Sequence, residues 1–371
     1  MYTGSPPSAQ RIIIGLSGGV DSAVAAHLLI EQGYQVEALF MKNWEEDDRV
    51  GYCAAAADLA DAQAVAQQLG IRLHTVNFAT EYWDRVFAEF LSEYQALRTP
   101  NPDVLCNREI KFAAFLDYAL DLGADAIATG HYARITQDAQ GFHLRLCADA
   151  EKDQTYFLHL LNQAQLAHAR FPLHAHTKPQ IRAIAQQLGL KNATKKDSTG
   201  ICFIGERRFR DFLAHYLPHS PGPIETAEGI HLGEHQGLAY YTLGQRQGLG
   251  IGGVAHAREA AWYVAAKDQT RNTLILVQDH QHPLLMTSGL DALQPHWIAG
   301  TAPAAFPFSC LARLRHRQPL QHCDILSADD NGCQVRFATP QRAVTPGQSV
   351  VFYRDDDCLG GAVIERGWRN H

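Results

Sequence analysis

The stretch Arg11-Ile12-Ile13-Ile14-Gly15-Leu16-Ser17-Gly18-Gly19-Val20-Asp21-Ser22 decides the fold. Residues 11–16 are a short β-branched run and read as a buried strand. The run stops at Ser-Gly-Gly and gives way to a helix predicted over Ser22–Gln32, with Gly33 as its stop. A strand that turns through two glycines into a helix offers an anion the free N–H groups and positive dipole end of that helix. The glycines let the backbone approach a ligand closely. Ser17 and Ser22 add hydroxyl donors, and Asp21 is placed to hold Mg²⁺ beside a bound pyrophosphate. The kinase-type GxxxxGK[ST] loop is absent, since no lysine occupies the turn. An ordinary strand–helix turn with Asp21 as a cap would explain a bare Gly-Gly, but not the whole SGGVDS.

Working outward, strand and helix keep alternating. Gln35–Met41 reads as a strand, Cys53–Leu69 as an Ala-rich helix and Leu73–Phe78 as a strand. Glu81–Leu97 and Glu109–Leu122 read as helices, and Asp125–Thr129 as a strand ahead of Gly130. Such alternation to about residue 205 predicts a doubly wound parallel sheet covered on both faces, so the class is α/β. Residues 218–256 are rich in Gly, Pro and His and suggest a small loop-rich module. From about 258 the signals are short strands: Ala261–Ala266, Asn272–Val277, Phe308–Leu314, Cys333–Phe337, Ser349–Tyr353 and Ala362–Ile364. These predict a small antiparallel barrel. The expected division is a catalytic domain over 1–206, a small central domain over 207–282 and a C-terminal β-barrel over 283–371.

Composition agrees with a globular chain. Of 371 residues, 46% are hydrophobic and 19% charged, which excludes wholesale disorder. No apolar stretch approaches the ~20 residues of a membrane span. The N-terminus lacks an apolar signal core, so a cytoplasmic protein with no membrane association is expected. Eight cysteines without a CxxC pair argue against a disulfide scaffold and a zinc ribbon. The net charge of −7 lowers the prior for a nucleic-acid partner. It is unevenly spread, however. Lys178, Arg182, Lys191, Lys195, Lys196, Arg207, Arg208 and Arg210 face only Asp197 and Glu206 over residues 178–210. That segment is either a solvated face or a phosphate-binding surface.

Two cysteines sit in loop-like contexts. Cys106 follows Arg98-Thr99-Pro100-Asn101-Pro102-Asp103-Val104-Leu105, where two prolines predict an ordered loop ahead of the Glu109 helix. A helix start and Arg108 would lower its thiol pKa, and Asp103 is close enough in sequence to shuttle a proton. A buried structural cysteine with Asp103 as a cap fits the local sequence equally well. Cys202 lies in a glycine-bounded basic loop, Lys195–Arg207. A redox couple between the two is plausible. Cys53, Cys147, Cys310, Cys323, Cys333 and Cys358 fall in apparent helices or strands and read as filler.

SGGVDS resembles the PP-loop of ATP pyrophosphatases, a family with a HUP-like sheet. Further segments make the resemblance specific: LFMKNW (39–44), TPNPDVLCN (99–107), ATGHYAR (128–134), KDQTYFL (152–158), DSTGICFIGER (197–207), LGQRQGLGIGG (243–253), AVTPGQSVVFY (343–353) and CLGGAVI (358–364). Together they resemble the bacterial tRNA-specific 2-thiouridylase (MnmA) family over nearly the whole chain. The resemblance implies adenylation of the C2 oxygen of the wobble uridine by ATP with Mg²⁺, then sulfur transfer from a persulfide on Cys202. It implies Cys106 as the partner nucleophile, able to close a Cys106–Cys202 disulfide, and Asp103 as general acid/base. Gly15, Leu16, Ser17, Gly18, Gly19, Val20, Asp21, Ser22, Met41 and Gly130 would hold ATP. Asn101, Pro102 and Asp103 would contact the target base. His131, Lys152, Asp153, Gln154, Arg315, His316 and Gln348 would contact tRNA. The implied partners are wobble-uridine tRNAs for Lys, Glu and Gln and a persulfide-carrying donor protein, and the expected state is a monomer. One departure stands out: the family commonly has Arg-Tyr-Arg where this chain has Arg315-His316-Arg317. His316 can still stack on a base, and it can titrate near neutral pH.

Three other readings remain at this point. An ATP-dependent amide synthetase would use the PP-loop without needing two loop cysteines. A non-catalytic ATP-binding RNA chaperone would need neither. An iron–sulfur cluster on Cys106, Cys202 and Asp103 would have only two thiolates, where full cysteine ligation is the norm.

Overall fold

The computed structural model describes residues 9–45, 54–196, 209–251 and 260–369. The first domain is built on five parallel strands: β1 (Arg11–Gly15), β2 (Gln35–Lys42), β3 (Leu73–Asn77), β4 (Ala126–Ala128) and the later β7 (Ala169–Arg170), in the order β3-β2-β1-β4-β7. The apolar run of β1 has a simple cause. Ile13 packs into one core with Leu39, Phe115 and Ile127. Ile12 and Ile14 point to the opposite face, against Ala38, Ala126 and Ala128. Successive side chains of a strand point to opposite faces, so a sheet covered on both needs every position apolar. Each of these isoleucines is fully buried, contributing about 2–3 kcal/mol of hydrophobic stabilisation.

Helix α1 (Val20–Glu31) lies on the Ile12/Ile14 face, where buried Ala23, Ala25 and Ala26 allow close approach. It ends as the sequence predicts. Gly33, at φ +86°, donates to the Ile30 carbonyl and Tyr34 donates to the Leu29 carbonyl, a Schellman stop. Helix α2 (Ala54–Leu69) covers the same face through Ala62, Val65 and Ala66.

After β4 the alternation breaks. β5 (Arg134–Asp138) and β6 (Gly141–Arg145) form an antiparallel hairpin that leaves the parallel sheet. The central domain is a four-stranded sheet of β8 (Gly222–Thr226), β9 (His231–His235), β10 (Trp262–Asp268) and β11 (Thr273–Gln278), ordered β10-β11-β8-β9. Strands β10 and β11 belong to this sheet and not with the later barrel strands beside which they read in sequence, and they lie on the central side of the division expected at residue 282. The C-terminal domain contains β12 (Met286–Trp297), β13 (Phe308–Arg313), β14 (Gln321–Ala328), β15 (Gly332–Arg342), β16 (Ser349–Arg354) and β17 (Asp357–Trp368). They run β12-β15-β14-β13-β16-β17, and β12 pairs with β17 to close an antiparallel barrel. The β5–β6 hairpin joins this barrel through Cys358, opposite Leu144. One core runs from Ile13 and Phe115 through Tyr156 and Leu158 to Val351, Tyr353 and Cys358. The first and third domains therefore share their interior. The expected boundary after residue 206 lies outside the described residues.

Candidate active site

The PP-loop stands between β1 and α1. Gly19 is the N-cap of α1 in extended conformation, and no side chain caps the helix. Its first-turn N–H groups are thus available to an anion. The loop hydroxyls brace the turn: Ser17 N–H donates to Ser22 Oγ (3.2 Å), and Ser22 Oγ donates to the Gly19 carbonyl (3.1 Å). Gly18 has φ +76°, and a Cβ there would lie 2.5 Å from the Asp58 carbonyl oxygen. Gly130 comes to the same place from the end of β4. A Cβ on it would stand 2.8 Å from the Ser22 nitrogen and 2.9 Å from the Asp21 carbonyl carbon. The sequence showed Gly130 only as a turn; the close approach of two backbones gives the reason for glycine. Leu16 is buried and donates to the Leu39 carbonyl (2.8 Å). Met41 is half-buried, its Cε 3.3 Å from where a Gly15 Cβ would be, so both sit where β1 and β2 end.

Asp21 is less open than the sequence suggested. Both its carboxylate oxygens accept from Lys178 Nζ at 2.8 Å, and Oδ1 also accepts from the Tyr132 hydroxyl (2.9 Å). A metal ion at Asp21 would have to displace that ammonium. Lys178 and Tyr132 are site residues the sequence reading missed. The available signal was Lys178 in the basic segment, one residue after the helix cap Thr177. From the same segment, Asn192 Nδ2 (3.0 Å) and Lys195 Nζ (3.5 Å) donate to the Gly18 carbonyl. Lys195 also binds Asp58 (2.9 Å) and Asp61. Burial opposes its charge, but the two carboxylates prevail and raise its pKa. The basic segment is thus laid against the loop itself, with Lys178 and Lys195 each paired to carboxylates beside it.

Cys106 differs from expectation. Pro102 does not continue a loop; it opens a helix, capped by Asn101 Oδ1 accepting from the Asp103 N–H (3.2 Å). Proline suits the first helical position because the N–H it lacks has no partner there. The helix runs from Pro102 to Asp121, and its Cys106–Ala114 part is π-helical. Cys106 therefore lies beyond the first turn and is fully buried. Burial pushes its thiol up to about 11, with Lys111 lowering it and Asp103 raising it. Arg108 is paired to Glu109 (2.6 Å). The activation expected from a helix start and Arg108 is not built into this arrangement. Cys202 lies outside the described residues.

The residues ahead of this helix are a junction of all three domains. Thr99 N–H donates to the Pro346 carbonyl (2.9 Å), and Gln348 Nε2 donates to the Thr99 carbonyl (2.7 Å). Thr99 Oγ1 and Thr242 Oγ1 are 3.3 Å apart. Lys267 Nζ donates to the carbonyl of Leu97 (2.9 Å), which has φ +60°. A cavity of about 300 Å³ opens beside them, lined by Leu97, Arg98, Thr99, Leu243, Lys267 and Pro346. Burial pushes the Lys267 ammonium down to about 8.

The other candidates divide by exposure. Arg315 is exposed, although Nη2 donates to the Ala343 carbonyl (2.8 Å), and Lys152 and Gln154 are half-buried. Gln154 Oε1 accepts from the Tyr132 N–H (2.9 Å). Asp153 is buried and accepts from Arg313 Nη1 (3.2 Å) and the Cys147 N–H (3.0 Å). His131 is buried between Phe112 and Phe171, with Nδ1 2.7 Å from Thr129 Oγ1. Burial holds its pKa well below the ordinary imidazole range. His316 packs within the chain, its ring centre 4.6 Å from that of Phe157 and tilted 54° to it, with Nε2 3.0 Å from the Asp153 carbonyl. Burial lowers its pKa despite that carbonyl, favouring the neutral imidazole. Among the described residues, no cluster of His, Cys, Asp and Glu could hold a metal ion, and no helix is long and apolar enough to cross a membrane.

Comparison with known proteins supplies the family. Residues 10–206 match the tRNA methyl transferase HUP domain, 210–278 the tRNA methyl transferase PRC-barrel domain, and 287–364 the aminomethyltransferase beta-barrel domain. The tRNA-specific 2-thiouridylase MnmA of Marinobacter nauticus is 57% identical, covering 98% of this chain and 93% of that protein. That of Methylococcus capsulatus is 59% identical, covering 96% of each, and that of Tolumonas auensis is 59% identical, covering 97% of each. With three matching domains in order and this identity over almost its full length, the chain belongs to the tRNA-specific 2-thiouridylase family.

Proposed function

We propose that this chain, an enzyme of the tRNA 2-thiouridylase family, replaces the C2 oxygen of a wobble uridine with sulfur at the expense of ATP. The observation that carries this reading is the uncapped start of α1, pressed from behind by Gly130 and flanked by Lys178 and Lys195. That is a cradle for phosphates. In the proposed reaction the uridine C2 oxygen attacks the α-phosphorus of ATP, and pyrophosphate leaves. The terminal sulfur of a Cys202 persulfide then attacks C2, and AMP leaves. Cys106 then attacks the Cys202 Sγ: the Cys106–Cys202 disulfide forms, the bond from Cys202 Sγ to the transferred sulfur breaks, and its electron pair stays on the sulfur now held by C2 as the 2-thiouridine. Adenylation supplies the leaving group that a uracil oxygen is not, and a persulfide is a strong soft nucleophile near neutral pH.

Gly15–Ser22, Met41 and Gly130 hold ATP, with Mg²⁺ entering as its counter-ion. Asn101, Pro102 and Asp103 meet the base, which must leave the anticodon stack, and Asp103 moves the proton. Because Cys106 is buried, base entry has to uncover it. Lys152, Gln154, Arg315 and Gln348 lie on the tRNA side, and His131, Asp153 and His316 position their neighbours there. The substrates are wobble-uridine tRNAs for Lys, Glu and Gln, the sulfur comes from a persulfide-carrying protein, and the enzyme works as a cytoplasmic monomer.

The test is thiolation of an unmodified tRNA with ATP and glutathione persulfide as sulfur source, read as 2-thiouridine by nucleoside mass spectrometry with AMP counted alongside. Wild type makes thiouridine. Cys202→Ser makes none yet still adenylates tRNA, and Cys106→Ser makes less than a hundredth of wild type. AMP released onto an added amine, with no thiouridine in any sample, would replace this reading with an amide synthetase.

A further inference from the structure

Away from the PP-loop and Cys106, the C-terminal barrel holds a second pair of thiols. Cys310 on β13 and Cys323 on β14 are register partners in an antiparallel ladder. Both point into the barrel core, 9% and 4% exposed, and their sulfurs are 3.6 Å apart. Opposed residues of an antiparallel pair have Cα atoms ~4.5–5.5 Å apart, inside the ~4.4–6.8 Å range that a disulfide spans. Closing the bond needs the sulfurs to approach by roughly 1.5 Å, within reach of side-chain rotation. The chain between the two strands, residues 314–320, carries Arg315, His316 and Arg317. The pair stands at the foot of the hairpin that presents this basic segment.

We propose that Cys310 and Cys323 are a redox-controlled staple: a modification site that a hydroperoxide closes into a disulfide, fixing the β13–β14 hairpin. The inference is independent of the reading of the PP-loop. Cys310 is the more exposed residue of the pair and reacts first. Its sulfur takes the distal oxygen of the peroxide, giving a sulfenic acid and the corresponding alcohol, or water from hydrogen peroxide. The Cys323 sulfur then displaces hydroxide from that sulfenic acid. The S–S bond forms, the S–O bond breaks, and the thiol proton leaves with hydroxide as water. Two electrons pass from the thiols to the peroxide. The sulfur–sulfur contact with Cys310 and burial both raise the Cys323 pKa, so it enters the step as the thiol and gives up its proton with the departing hydroxide. A dithiol reductant reverses the bond by exchange.

The full chain is treated with hydrogen peroxide, quenched by alkylation and digested without reduction, and peptides are mapped by mass spectrometry. The expected product is a cross-linked Cys310–Cys323 peptide two hydrogens lighter than the two thiols. It comes with a rise in Tm on the order of 5 °C and at least tenfold slower amide exchange over residues 314–320, all reversed by dithiothreitol. Cys310→Ala and Cys323→Ala variants show neither the Tm rise nor the slowed exchange. Should either variant fail to fold, the wild-type map alone decides. Recovery of both cysteines as free alkylated thiols, a Cys310–Cys333 linkage, or a cross-link without slowed exchange at 314–320 overturns the proposal.

Discussion

Cys106 is fully buried, and burial holds its thiol neutral until about pH 11. At pH 7.5 roughly one molecule in a few thousand would carry the thiolate. In the free protein, alkylation of Cys106 by iodoacetamide, followed on its own peptide, should rise about tenfold per pH unit and level off only near 11. A plateau below pH 9 would mean that the thiol is activated without substrate. Stability carries the same signature. The thiol sits above its ordinary value of 9.0, so the folded state keeps a proton the unfolded chain releases. That contribution is whole below pH 9 and is lost as pH rises to about 11, on the order of 2–3 kcal/mol. Cys106→Ala should remove that part of the alkaline slope in urea unfolding. At this scale the two prolines read as a loop and placed the helix start at Glu109, when Asn101 as cap and Pro102 at the first position, both legible in the sequence, put Cys106 inside the helix.

Among the elements, the segment Leu97–Thr99 is held by parts of the chain far away in sequence. Gly347 has φ +90°, and a Cβ there would lie 2.9 Å from the Thr99 nitrogen and 3.0 Å from the Arg98 Cβ. Backbone atoms cannot rotate away, so Gly347→Ala forces the loop ahead of Cys106 off the barrel. The expected cost is about 1–3 kcal/mol of stability. In the thiolation assay kcat/KM for tRNA should fall about tenfold, while far-UV circular dichroism stays unchanged. An active variant with unchanged Tm would show that the clamp is not needed. In sequence Pro346-Gly347 reads as no more than a turn, because what sits against Gly347 is a tertiary fact. The parallel strands were readable for the opposite reason: a strand covered on both faces is apolar at every position, as in Ile12–Ile14. Barrel strands carry less signal. Met286–Trp297 contains Gly289 and Pro295 and pairs on both sides across register shifts. Gln321–Ala328 buries only alternate residues, Cys323 and Ile325, among polar ones. Neither stood out as a strand. Strands Trp262–Asp268 and Thr273–Gln278 were read correctly as strands, but which sheet they join depends on β8 and β9, which local pattern does not reveal.

For the whole molecule, the question is what keeps the first domain and the barrel in one register. The shared core does most of it, running from Phe115 to Tyr353. Polar contacts fix the angle. Arg313 of the barrel and Asp153 of the first domain are 8% and 2% exposed, with Nη1 3.2 Å from Oδ1. The guanidinium also lies 5.4 Å from the centre of the Tyr353 ring, and Thr155 N–H (3.3 Å), Thr155 Oγ1 (2.5 Å) and Cys147 N–H (3.0 Å) donate to the Asp153 carboxylate. Removing one partner of such a pair leaves a buried charge uncompensated, so Arg313→Met should cost about 3–5 kcal/mol. Adding Asp153→Asn removes the stranded charge and should recover about half of that, whereas two independent surface residues would simply add. The reading is urea unfolding followed by tryptophan fluorescence and by circular dichroism. Wild type should give one transition, because the two domains share a core. Arg313→Met should separate it into two, with the barrel and the parallel sheet melting apart. A loss below about 1 kcal/mol with a single transition would show that the apolar core alone sets the register and that the ion pair only accompanies it.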